Sequence, residues 1–139
     1  MNRREAREAV LGLLFETEFR TDESDKEIFA TSTENREIPT DPYIEKTYFA
    51  VCEHREEIDR MIGAHAKGWK TSRLSKLSRS VLRLAVYEMM YEAETIPYTV
   101  SINEAVELTK KYDEDKARAF VNGVLNSVKN ELEAGGVQA

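Results

Sequence analysis

Apolar residues recur along this chain at intervals of three and four, the spacing that gathers them on one side of an α-helix. The strongest pattern runs from Ser78 to Leu125. There Val81, Leu82, Ala85, Val86, Met89, Met90 and Ala93 make a stripe broad enough to be buried from two sides, which predicts a central helix beginning near Ser78. Pro97 lacks a backbone donor and biases Ile96 away from helical angles, so that helix is expected to stop near Thr95. Ser101-Ile102-Asn103-Glu104 reads as a capping box opening the next helix. Asp113 and Asp115 offer caps for a third, whose Ala117, Val121, Val124 and Val128 form an apolar face with Phe120, Leu125 and Leu132 at its edges.

The first half is patterned less evenly. An opening helix from Asn2 to about Phe19 keeps Ala6, Ala9, Val10, Leu13 and Leu14 on one face. Thr21 to Asp41 is polar and acidic, with Ile28, Phe29 and Ile38 as anchors, a short helix near Ser24 to Ala30 and a loop ending at Pro39 and Pro42. Helical spacing resumes from Tyr43 to about His54 and again from Ile58 to about Ala66. With the opening helix these two segments are expected to form an N-terminal group, residues 1–68, beside a C-terminal group, residues 69–139.

Composition narrows the class. A chain of 139 residues with only 6 glycines and 3 prolines fits a single, mostly helical domain able to bury its own core. The N-terminus is charged where a signal peptide would be apolar, and no run is long enough for a membrane span, so a cytoplasmic protein is expected. The one cysteine, Cys52, excludes an internal disulfide. Cys52, His54 and His65 lack the four-ligand spacing of a structural zinc site, and no nucleophile elbow or phosphate-cradling glycine loop is present. Glu88 and Glu104 fit a cap and a hydrogen-bonded helix-boundary group better than a carboxylate pair for acid–base chemistry.

Net charge is −6, yet it is unevenly spread. Asp22 to Asp59 holds 12 acidic and 4 basic residues, whereas Arg60 to Arg83 holds 7 basic and none acidic. Screening over about 10 Å lets a basic stretch attract phosphates whatever the total. On the opening helix Arg4, Leu11 and Phe15 fall together, with Arg3 and Arg7 nearby. Cations beside a flat ring suit unpaired RNA, whose phosphates and bases they can hold. The competing reading makes the arginines solvated partners of Glu5 and Glu8, and Phe15 a second-layer core residue. The basic run around Trp69, Lys67, Lys70 and Arg73 is either a solvated linker or a face for RNA or an acidic partner. In the last helix Phe120 lies at the margin of the buried face beside Lys116. Gly123 there costs about 1 kcal/mol against alanine. A close neighbour is therefore expected, either another helix or a nucleotide backbone.

Taken together, these residues resemble the NusB family of transcription antitermination factors. The likeness rests on REAREAVLGLLF, Trp69 with Arg73-Leu74, SRSVLRLAVYE, IPYTVSINEAVEL, KKY and FVNGVL in that order, and is loosest over Thr21 to Asp41. It implies an all-helical protein of two three-helix bundles packed at an angle, with no enzymatic activity, cofactor or metal. It further implies pairing with a small-subunit ribosomal protein, also called NusE. The pair would bind single-stranded boxA RNA of nascent ribosomal RNA leaders, join the RNA polymerase antitermination complex and suppress premature termination. Carried onto this chain, the RNA surface would comprise Arg3, Arg4, Arg7, Phe15, Lys116 and Phe120. The protein partner would lie near Ser78, Arg79 and Arg83. Phe15 stands where the family often has tyrosine, and Ser78 where it commonly has an acid. Monomers and homodimers both occur in the family. Two rivals differ in class: an RNA-recognition module of the kind carried by rRNA methyltransferases, for which the chain is expected to be too short, and a purely protein-binding helical adaptor.

Overall fold

The computed structural model describes residues 1–39, 41–66, 75–112 and 115–135, and over these it contains seven helices and no strand. They are α1 (Arg3–Thr17), α2 (Asp25–Asn35), α3 (Pro42–Glu53), α4 (Arg55–His65), α5 (Lys76–Tyr91), α6 (Tyr98–Tyr112) and α7 (Asp115–Glu133). The all-helical expectation holds. The chain divides into two compact units, Met1–Glu53 and His54–Ala139. α4 thus belongs with α5 to α7, giving a unit of three helices and a unit of four. The sequence grouping placed the boundary near residue 68, because an apolar stripe shows which face of a helix is buried but not against which neighbour.

In the first unit α1 packs on both α2 and α3. Ser24 caps α2, its hydroxyl accepting from Glu27 N while the Glu27 carboxylate accepts from Ser24 N. The helix runs to Asn35, longer than expected, and ends where Glu37 takes a left-handed turn and Ile38 N donates to Thr33 O at 3.0 Å. The loop ends at Pro42 as expected, and the proline occupies the first position of α3, where its missing N–H costs nothing. The central side chain is Tyr48, fully buried, with its ring 5.8 Å from Phe29 and 5.1 Å from Phe49. Its hydroxyl lies 3.0 Å from Thr17 Oγ1 and 3.4 Å from the Asp25 carbonyl.

In the second unit α5 is central, in contact with α4, α6 and α7. Val81, Leu82, Leu84, Ala85, Val86, Tyr87, Glu88 and Met89 are all buried, a broad face that leaves a strip of Arg79, Arg83 and Met90 half-buried. α5 starts earlier than its apolar pattern suggests, because the Ser75 hydroxyl accepts from Ser78 N at 3.0 Å and caps the helix. It also ends earlier, at Tyr91, leaving Ala93 exposed in the turn that follows.

The capping box expected at Ser101 does not form. α6 begins at Tyr98, and the Pro97 carbonyl already accepts from Val100 N and Ser101 N at 3.0 and 3.2 Å. Ser101 is therefore inside the helix and buried, and its hydroxyl donates to Glu88 Oε1 at 2.8 Å. A carboxylate only 2% exposed needs such donors, since an unmatched charge in an apolar core is costly. Two further ties hold the helices together. Arg83 donates to both oxygens of Asp59 at 2.9 and 3.1 Å, joining α5 to α4. His65, in the last turn of α4, bridges to α7 with Nδ1 2.6 Å from Ser127 Oγ and Nε2 2.8 Å from Glu131 Oε1.

Replacing Ser101 by alanine removes a hydrogen bond to a charged group and should destabilise the protein by about 1.5–3 kcal/mol in urea denaturation. A loss under about 0.5 kcal/mol would mean that the Glu88 carboxylate does not depend on it. Burial pushes the hydroxyls of Tyr48 and Tyr87 well above the ordinary tyrosine range, with the Glu92 carboxylate adding to the effect at Tyr87. Unfolding would let both ionise near their usual value of about 10. Their contribution to stability is therefore complete below about pH 10 and is lost as pH rises further. The urea midpoint should fall above about pH 10, and the Tyr48→Phe variant should show a shallower fall from a lower starting stability.

Candidate nucleic-acid interface

The α1 cluster starts from a cap. The Asn2 side chain accepts from Glu5 N at 2.8 Å and the Glu5 carboxylate accepts from Asn2 N at 2.9 Å, which begins the helix directly before Arg3. Arg3 and Arg4 are exposed, and the Arg3 guanidinium lies 4.0 Å above the Tyr43 ring. Arg7 departs from expectation: it is only 6% exposed, so it is part of the interior and not a surface cation. It follows Ala6 on the inward-turning side of the helix, and its burial could not be read from an arginine-rich heptapeptide.

Phe15 is half-buried, and its ring meets Phe19 edge to face at 5.0 Å. Phe19 is 58% exposed. Sequence reasoning used it only to mark the helix end, although its i, i+4 spacing from Phe15 signals the pairing. The acidic side chains nearby are matched: Glu16 receives Arg20 at 3.0 Å and Arg36 at 2.6 Å, and Arg20 also holds Glu23, whose carboxyl it draws below its ordinary range.

The second cluster lies on α7. Val121, Val124, Leu125, Val128 and Leu132 are buried, as the spacing predicts. Lys116 is exposed and Phe120 half-buried one turn later, so a cation and a partly accessible ring are presented together. Asn122 and Gly123 are exposed, with Asn126 Nδ2 donating to the Asn122 backbone and side-chain oxygens at 2.8 and 3.2 Å. Among the described residues nothing lies within 4 Å of where a Cβ on Gly123 would stand, so no described helix packs against that glycine.

The expected protein-partner residues are placed differently from one another. Ser78 is buried at 2% exposure, Arg79 is half-buried, and Arg83 is engaged by Asp59. Ser78 became internal because the cap moved to Ser75, which turned position 78 into the first turn of α5. Lys67, Lys70, Trp69 and Arg73 lie outside the described residues. Cys52 is half-buried, and among the described residues no group of three or more His, Cys, Asp or Glu could hold a metal ion. No described helix is long and apolar enough to cross a membrane.

These features define an all-helical protein that presents cations beside aromatic rings on two separate helices. Comparison with known proteins gives it a family. The NusB family pattern matches residues 4–130. The chain is 43% identical over 133 residues to the transcription antitermination protein NusB of Bacillus subtilis strain 168, covering 96% of this chain and 98% of that one. It is similar to the solved structure of NusB from T. maritima, with a TM-score of 0.80 at 35% identity over 94% of this chain and 92% of that one. It is also similar to a chain in the crystal structure of antitermination factors NusB and NusE in complex with double-stranded RNA, with a TM-score of 0.79 at 30% identity and 92% and 96% coverage. The chain belongs to the NusB family.

Proposed function

We propose that this protein is a non-enzymatic antitermination factor. It binds single-stranded boxA RNA of nascent ribosomal RNA leaders together with the ribosomal protein NusE, and acts within the RNA polymerase complex in the cytoplasm. The observation that carries this reading is the pairing of exposed cations with accessible rings on α1 and α7, in a chain of the NusB family. Phosphates are held by positive charge and unpaired bases by stacking, and each helix supplies both. Arg3, Arg4 and Phe15 act from the first helix, Lys116 and Phe120 from the last. Arg7, being interior, supports α1 and does not contact phosphate. NusE docks near the start of α5, on the side where Arg79 and Arg83 are half-buried. A homodimer that covered α1 would compete with RNA.

The test is binding of boxA and scrambled single-stranded RNA, and of a double-stranded control, with and without NusE. BoxA RNA should bind weakly to the protein alone and more tightly with NusE. Arg4→Ala and Lys116→Ala should each weaken binding and make the salt dependence shallower by about one in log–log slope. Phe15→Leu and Phe120→Leu keep an apolar group but lose the stacking plane, and should cost about 1–3 kcal/mol. Equal binding of boxA and scrambled RNA in the presence of NusE would defeat the proposal. If Arg4→Ala left RNA binding intact and only NusE binding mattered, a purely protein-binding adaptor would be the better description.

A further inference from the structure

We propose that Gly123 is a contact point at which the sugar–phosphate backbone of the bound RNA lies directly against α7, a proposal that rests on the RNA-binding reading above. Gly123 is the ninth residue of a 19-residue helix, far from either end, where a glycine lowers helix stability relative to alanine. Glycine in a helix interior is repaid when something comes close to the bare Cα. At Gly12 on α1 that something is internal, because a Cβ there would stand 2.5 Å from Arg36 Nη1. At Gly123 the described residues supply nothing: the position is exposed and none of their atoms takes the space of a methyl group. No turn or positive φ calls for glycine either, since the helix continues unbroken through it.

The surroundings point to the ligand. At about 100° per residue, Lys116, Phe120 and Gly123 fall within about 60° of one another, and Lys116 stands about 10 Å from Gly123 along the axis. A single strand laid along this face would meet an ammonium group, then a ring, then a bare stretch of helix. Beside the glycine, the Asn122 and Asn126 amides are tied to each other, which fixes polar groups able to hydrogen-bond a ribose or phosphate. A side chain at 123 would stand between strand and helix and lift the backbone off its neighbours. The bare Cα thus lets the strand's backbone reach the helix between the ring and the amides.

The experiment compares wild type with Gly123→Ala and Gly123→Leu, using a boxA single-stranded RNA oligonucleotide, with NusE bound. Because the site is open, both variants should fold, with the thermal midpoint of Gly123→Ala raised by about 3–6 °C. RNA affinity should fall about tenfold for alanine and further for leucine, with NusE affinity unchanged. RNA binding equal to wild type in both variants overturns the proposal. So does a loss of NusE affinity with RNA contacts intact, which would make the close neighbour a protein. Lys116→Ala and Phe120→Leu separate this inference from the reading beneath it: if they weaken RNA binding and Gly123→Leu does not, only the glycine contact is wrong. If none of the four variants changes RNA binding, α7 is not an RNA surface at all.

Discussion

A helix surrounded by its neighbours cannot leave a polar group unmatched, and α5 is surrounded. It packs on α4, α6 and α7, and from Val81 to Met89 the buried positions are narrowed to apolar residues except where a partner is supplied. Glu88 is the exception that organises α6: its carboxylate reaches Ser101, so that residue must face inward and α6 must already be helical there. Arg83 likewise takes its register from Asp59 on α4. Among the described residues no buried side-chain nitrogen or oxygen lacks a hydrogen-bond partner, so the polar groups in the interior specify how helices align while the apolar ones drive their association.

This division explains what could be read from the chain and what could not. Helices α1, α3, α4, α5 and α7 are visible as periodic apolar faces, because burial on one side of a helix leaves a trace at three- and four-residue spacing. Their ends are less visible, because several serines can each offer a capping hydroxyl and the choice is settled elsewhere. Ser75 caps α5 and releases Ser78 to the interior, and Ser101 is recruited by a carboxylate 13 residues away. The grouping of α4 with the later helices depends on His65 and Asp59 finding partners far along the chain, information that no local window contains.

The candidate surfaces divide in the same way. Arg3, Arg4 and Lys116 are exposed, as a charge at the solvent side of an amphipathic helix should be. Phe15 and Phe120, at the margins of their apolar faces, are each half-buried, which holds the ring in a fixed attitude while leaving part of it accessible. Arg7 and Ser78 are buried, and identity at a position does not by itself say whether a side chain points in or out. Phe19 shows the converse, an exposed ring against Phe15 that no family pattern singled out.

The bridge between α4 and α7 has a consequence of its own. A neutral imidazole that gives its Nε2 proton to Glu131 must receive one from Ser127 at Nδ1. The two ring nitrogens then have opposite roles, one giving a proton to the carboxylate and the other taking one from the hydroxyl. Ser127 and Glu131, one turn apart on α7, therefore hold the neutral ring from two sides and admit a single tautomer. One flat ring on α4 thus sets how α7 is turned about its own axis.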